Sequence, residues 1–131
     1  MELKLIVDQF GTKRWYNSKG KLHREDGPAI EWADGSRSWY VNGDLHRVDG
    51  PAIECKNGST QWYINGKCHR ENGPAIEYAD GSKDWRVNGQ LHRIDGPARD
   101  HSNGDKSWYI NGKNIKTKQE FLRIIKLKYF I

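Results

Sequence analysis

The sequence predicts an all-β fold: an elongated antiparallel sheet of stacked 23-residue β-hairpin repeats, with a short C-terminal capping helix. Three observations predict it. His23, His46, His69 and His92 recur every 23 residues, as do Pro28, Pro51, Pro74 and Pro97, and Trp39, Trp62, Trp85 and Trp108. A constant interval of this size is the mark of one supersecondary unit stacked on itself. Each unit also carries two Asn-Gly or Asp-Gly dipeptides between strand-like runs, the strongest short hairpin signal. After Gly112 that pattern stops and apolar residues take up helical spacing.

Composition is less informative than the period. A mean hydropathy of −0.96 over 131 residues favours disorder in a featureless chain. Here six Trp and six Tyr stand at regular positions, and each buries roughly 150–250 Å². A shallow, aromatic core in a single domain is the expectation.

The unit reads WYxNGxLHRxDGPAIExxDGxxx, and the repeat body is expected over residues 1–116 as five Trp-containing units. Trp15 precedes Trp39 by 24, because NSKG replaces a shorter connection. With Asn42-Gly43 as a two-residue loop, Val41 faces Asp44, Tyr40 faces Leu45 and Trp39 faces His46. With Asp34-Gly35 as the loop, Trp32 faces Arg37 and Ile30 faces Trp39. Alternation along the strands then predicts an Ile30–Trp39–His46 row on one face, and Glu31, Ser38, Tyr40 and Leu45 on the other. Proline has no N–H for a ladder, so Asp-Gly-Pro marks a reversal before each AIE strand. Arg47 and Asp49 are placed to brace it, like Arg24 with Asp26 and Arg93 with Asp95; Asn72 replaces the acid once.

Residues 117–131 are expected to form a basic amphipathic helix, running near 118–129. Thr117 and Glu120 have the spacing of a capping box, and Phe121, Ile124, Ile125 and Lys128 follow helical spacing. Its expected role is to cover the open end of the last hairpin. The net charge of +5 is concentrated here: Lys113, Lys116, Lys118, Arg123, Lys126 and Lys128 stand against Glu120 alone, which leaves the repeat body electroneutral.

Repetition argues against chemistry. Equivalent histidines on a sheet with strands ~4.8 Å apart cannot converge on one metal ion, whose ligands sit at ~2.0–2.3 Å. No CxxC or HxxxH spacing is present. An active site needs unlike groups converging once, whereas this chain offers like groups four times. No catalytic residue, cofactor or metal is expected. Cys55 and Cys68 fall at different points of the unit, which suits a reducing compartment. The apolar run at the N-terminus is too short for a signal peptide or a membrane span, so a cytoplasmic protein is expected.

Function is sought where the repeats disagree. Trp32, Cys55, Tyr78 and His101 share one column beside the Asp/Asn-Gly turn, and Arg37, Thr60, Lys83 and Lys106 share the opposing one. Together they are expected to form an aromatic and cationic strip, of residue types that anchor protein interfaces. The candidate interaction residues are therefore Trp32, Arg37, Tyr78, Lys83, His101 and Lys106.

The repeated HRxDGPA and WYxNG segments over about residues 4–115 resemble MORN-type 23-residue β-hairpin repeats, particularly a variant of bacteriophages and large DNA viruses. Asp-Gly-Pro-Ala stands here where Gly-x-Gly is typical of MORN repeats. The resemblance implies stacked hairpins and a virus-encoded factor whose target is a host protein, such as one of defence. The leading expectation is a non-catalytic protein-binding module acting by stoichiometric binding or inhibition. The alternatives are nucleic-acid binding through tail cations and exposed aromatics, or acidic-lipid binding with Tyr129, Phe130 and Ile131 inserting. A homodimer is also expected to be feasible, through face-to-face pairing of two sheets.

Overall fold

The computed structural model describes residues 2–129, so Phe130 and Ile131 of the expected lipid anchor lie outside the described residues. The first hairpin pairs β1 (Lys4–Val7) with β2 (Lys13–Tyr16). The next unit supplies β3 (Ile30–Glu31), β4 (Arg37–Ser38), β5 (Tyr40–Val41) and β6 (Asp44–Leu45). It returns as β7 (Ile53–Glu54), β8 (Thr60–Gln61), β9 (Tyr63–Ile64) and β10 (Lys67–Cys68). A third copy follows as β11 (Ile76–Glu77), β12 (Lys83–Asp84), β13 (Arg86–Val87) and β14 (Gln90–Leu91). The chain ends in β15 (Arg99–Asp100), β16 (Lys106–Ile110), β17 (Lys113–Ile115) and α1 (Lys118–Tyr129). Eleven strands form one antiparallel sheet, ordered β1-β2-β3-β4-β7-β8-β11-β12-β15-β16-β17; β5–β6, β9–β10 and β13–β14 form separate two-stranded hairpins. The all-β class and the terminal helix agree with the reading of the period.

The two turns of each unit differ in kind. Asn42 (φ 49°) and Gly43 (φ 88°) both adopt the left-handed conformation, as a type I′ turn requires. Tyr40 then faces Leu45 and Val41 faces Asp44, as expected. At the other turn the expected register is corrected by one residue. Ile30 faces Ser38 and Glu31 faces Arg37, while the Trp32 N–H donates to the Ser36 carbonyl at 2.9 Å. The loop is Ala33-Asp34-Gly35. Its left-handed residue is Gly35 (φ 96°), and Asp34 Oδ1 accepts the Ser36 N–H at 2.8 Å. Aspartate turns the chain through this side-chain bond without itself going left-handed.

A one-residue slip moves side chains to the opposite face. The expected Ile30–Trp39–His46 row therefore breaks at Ile30, while Trp39 still meets His46, whose N–H donates to the Trp39 carbonyl at 3.0 Å. Instead Ile30, Ser38, Ile53, Gln61, Ile76, Asp84, Arg99 and Ser107 lie in register across one face, the isoleucine face. By alternation the repeated Trp residues share the other face with Glu31, Arg37, Glu54 and Glu77.

The tryptophan face is held by stacked cations. Arg24, Arg47, Arg70 and Arg93 lie 3.9, 3.8, 4.0 and 3.8 Å from the ring centroids of Trp15, Trp39, Trp62 and Trp85. Such contacts contribute ~0.5–2 kcal/mol each, depending on desolvation. Arg47 also donates to Asp49 at 3.2 Å and to the Pro51 carbonyl and Glu54 at 3.0 Å each. Arg24 and Arg93 repeat the bond to Asp26 and Asp95, so the expected bracing is present. The guanidinium lies on the glycine of Asp-Gly-Pro: a Cβ on Gly50 would sit 2.9 Å from Arg47 Cζ, and one on Gly96 2.8 Å from Arg93 Cζ. The segment is a corner that returns the chain to the sheet, where Trp39 N–H donates to the Ala52 carbonyl at 2.7 Å.

Two series of side chains fasten unit to unit. His23, His46, His69 and His92 accept, at Nδ1, the backbone N–H of Asn42, Asn65, Asn88 and Asn111 at 2.9–3.0 Å. At the opposite end Thr12, Ser36, Ser59 and Ser82 hydroxyls accept the N–H of Ala33, Lys56, Ala79 and Ser102 at 2.9–3.0 Å. An imidazole that accepts at Nδ1 must be neutral with its proton on Nε2.

Acid should loosen the fastening at His92. Burial holds the His92 imidazole below its ordinary pKa of 6.5, so the folded state binds fewer protons here than the unfolded chain. His92 therefore contributes fully above the unfolded value, and its contribution is lost as pH falls through the folded one. We expect the urea midpoint to fall between about pH 7 and about pH 5, and the fall to shrink in His92→Gln. An identical pH response in that variant would refute the assignment.

At the C-terminal end the fastening columns stop. Ile115 occupies the next histidine position and is buried with Ile110, Phe121 and Ile125, against Trp108 and Ile94. Glu120 N–H donates to Thr117 Oγ1 at 3.1 Å, which starts α1 as the capping pattern predicts. The helix covers the last hairpin.

Candidate functional site

The candidate residues do not form one strip. Trp32, Tyr78 and His101 extend the isoleucine face, whereas Arg37, Lys83 and Lys106 project from the tryptophan face. The one-residue change of register at each Asp/Asn-Gly turn separates them. Arg37 pairs with Glu54 at 2.9 Å and Lys106 with Asp100 at 3.1 Å, and Lys83 lies between Glu77 and Asp100. The cationic column thus takes part in an alternating-charge ladder. Of the tail cations, Lys113, Lys116, Lys118, Lys126 and Lys128 are exposed, and Arg123 pairs with Glu120 at 2.8 Å.

The aromatic column is better placed for contact. Trp32 and Tyr78 are 40% and 41% exposed, two units apart on one face, and each is tethered at its polar end. Trp32 Nε1–H donates to Ser38 Oγ at 3.3 Å, and Tyr78 Oη–H donates to Asp84 Oδ2 at 3.3 Å. A ring whose tip is hydrogen-bonded presents apolar area with little rotamer entropy left to lose. Half-buried Cys55 separates them, and His101 is exposed beyond Tyr78.

Below Tyr78 lies a charge cluster that no motif announced. Asp84, 2% exposed, accepts from Arg99 Nε at 3.3 Å and Nη2 at 3.4 Å, with Arg86 Nη2 at 3.8 Å. Arg86 Nη1 donates to the Gly89 carbonyl at 3.0 Å, while its Nε is buried without a hydrogen-bond partner among the described residues. The Asp84 hydrogen bond raises the Arg99 pKa, and burial, followed by the Asp84 charge, raises that of Tyr78. The signal was present as three coordinated departures from the repeat. Asp84 stands where Ser38, Gln61 and Ser107 do, Arg86 where Tyr40, Tyr63 and Tyr109 do, and Arg99 where Ile30, Ile53 and Ile76 do.

Asp84 thus sits between two guanidinium groups, with Tyr78 hydrogen-bonded to it. Both Cys55 and Cys68 are free, and burial pushes the Cys68 thiol up to about 11, far from the thiolate a nucleophile needs. Among the described residues no group of three or more His, Cys, Asp or Glu is placed to hold a metal ion. Among them, too, no helix is long and apolar enough to cross a membrane. No protein-family model matches this chain, and no curated protein matches it.

Proposed function

We propose that this chain is a non-catalytic protein-binding module that meets its partner with the aromatic column of the isoleucine face. The observation that supports this most is the pair of exposed, hydrogen-bonded rings, Trp32 and Tyr78, on one face of the sheet. Trp and Tyr in such settings supply much of the energy of protein interfaces. The partner of this reading is a host protein bound stoichiometrically or inhibited, which rests on the resemblance to virus-encoded repeats. The engagement of Arg37 and Lys106 with carboxylates favours a protein partner over a polyanion.

Capture from host lysate with tagged full-length chain tests the reading. A single nuclease-resistant partner is expected, retained at moderate salt. Trp32→Ala and Tyr78→Ala should each weaken it by roughly tenfold or more, as loss of about 1.4–2 kcal/mol at an anchor residue would. Unchanged affinity in both variants would remove the column from the interface. Recovery that disappears with nuclease would replace the reading with nucleic-acid binding.

A further inference from the structure

The two ends of the eleven-stranded sheet are finished differently. At one end β17 lies under α1. At the other, β1 is an outer strand in which Leu5, Ile6 and Val7 are all exposed, with exposed Phe10 in the following turn. Its four pairs with β2 run without a bulge, and it contains no proline. Natural edges are usually protected by such devices or by a covering element.

The hydrogen-bonding direction of this edge follows from its inner side. Asp8 N–H donates to the Thr12 carbonyl at 3.1 Å, while Trp15 N–H turns away from β1 to the Ala29 carbonyl at 2.9 Å. In an antiparallel ladder bonded and non-bonded pairs alternate. Lys4 and Ile6 therefore bond to β2, and the N–H and C=O groups of Leu5 and Val7 point outward.

We propose that β1 is a dimerisation edge, pairing antiparallel with β1 of a second copy about a two-fold axis at Ile6. This register joins outward-facing Leu5 to the partner's Val7, and Val7 to the partner's Leu5. It also sets Lys4 opposite the partner's Asp8 on both sides of the axis, a self-complementary charge pattern. The register shifted to place Leu5 on the partner's Leu5 has the same bonding parity but opposes Glu2 and Asp8, like charges. Opposed residues share a face, so the two isoleucine faces become one surface carrying two copies of the Trp32–Tyr78 column. A partner with two epitopes would then gain avidity without new contacts. The dimer stands independently of what that column binds.

The test is the mass of the full chain in solution by sedimentation equilibrium. Twice the 15.2 kDa of one chain is expected. Val7→Pro removes an outward N–H at an edge position that tolerates proline, and Leu5→Lys places a cation beside the partner's Val7. Both variants should keep the native circular dichroism and raise the dimer dissociation constant at least ~tenfold. Ile6→Cys should crosslink under mild oxidation, since non-hydrogen-bonded pairs approach to ~4.5 Å between Cα atoms. A monomeric native chain overturns the proposal, as does a dimer that survives both substitutions. A crosslink absent at Ile6 overturns the register.

Discussion

Asp84→Ala is expected to lower stability by about 3 kcal/mol, the upper range for a point change in a domain of this size. The substitution leaves Arg99 and Arg86 without their shared carboxylate, with Tyr78 Oη deprived of its acceptor. Breaking a fully buried pair costs ~3–5 kcal/mol because the surviving charge stays desolvated. Here Arg86 and Arg99 keep a quarter to a third of their side-chain exposure, and this partial solvation places the loss at the lower end of that range. Restoring the pattern of the other units is the informative control. Asp84→Ser with Arg86→Tyr and Arg99→Ile removes all three charges together, and should be neutral or stabilising by ~1–4 kcal/mol, as replacement of buried ion clusters often is. Urea unfolding of both variants decides the matter. A single substitution within about 0.5 kcal/mol of the native chain would mean that the cluster is solvated. The same variants connect stability to binding, because Asp84 orients Tyr78: Asp84→Ala should weaken partner capture even where the fold survives.

The period, the Asn-Gly hairpins and the helix were legible because each depends on residues close in sequence. Asn42-Gly43 admits one loop length, and Thr117 with Glu120 admits one helix start. Asp34-Gly35 does not have this property. An aspartate can occupy a left-handed position or accept a hydrogen bond from two residues on, and the choice between a two- and a three-residue loop reverses which face Trp39 takes. The aromatic and cationic columns were separated by that one step. The fasteners were hidden for a different reason: His23 and Asn42, or Ser36 and Lys56, meet only once units stack. Their constant separations were nevertheless in the sequence. Histidine conservation along the repeat, read as packing against Trp, has a polar cause as well, an Nδ1 acceptor for the next turn.

Stacking also fixes what each end of the array needs. A unit in the middle gives its histidine and its hydroxyl to the unit that follows, so the last unit would carry an imidazole and a hydroxyl with nothing to accept. The sequence avoids this, since Asp105 replaces the hydroxyl and Ile115 the histidine. The isoleucine turns the last rung from a hydrogen-bonding surface into an apolar seat. No equivalent change closes β1, which is why the open edge rather than the capped one carries the dimer proposal.

Phe121→Ala is expected to destabilise the protein by about 3–5 kcal/mol and to remove most of its helical signal with it. Phe121 is 2% exposed, seated on Ile110, Ile115 and Ile125, with its ring centroid 6.4 Å from that of Trp108. Truncation removes the side chain that joins helix to sheet. A helix of 12 residues is marginal in water by itself, so undocking and melting are one event. Leu122→Ala is the matched control, because Leu122 is one position along the same helix but 54% exposed; its cost should stay within about 0.5 kcal/mol. Thermal unfolding followed by circular dichroism separates the two variants. Equal losses in both would show that helix propensity, not docking, holds α1. A Phe121→Ala protein with its helix intact would show that the capping bond at Thr117 suffices. If docking holds it, the variant bares the apolar seat of Ile110 and Ile115 at that end of the sheet. Concentration-dependent association through that end should then appear in Phe121→Ala and persist when Val7→Pro has blocked β1.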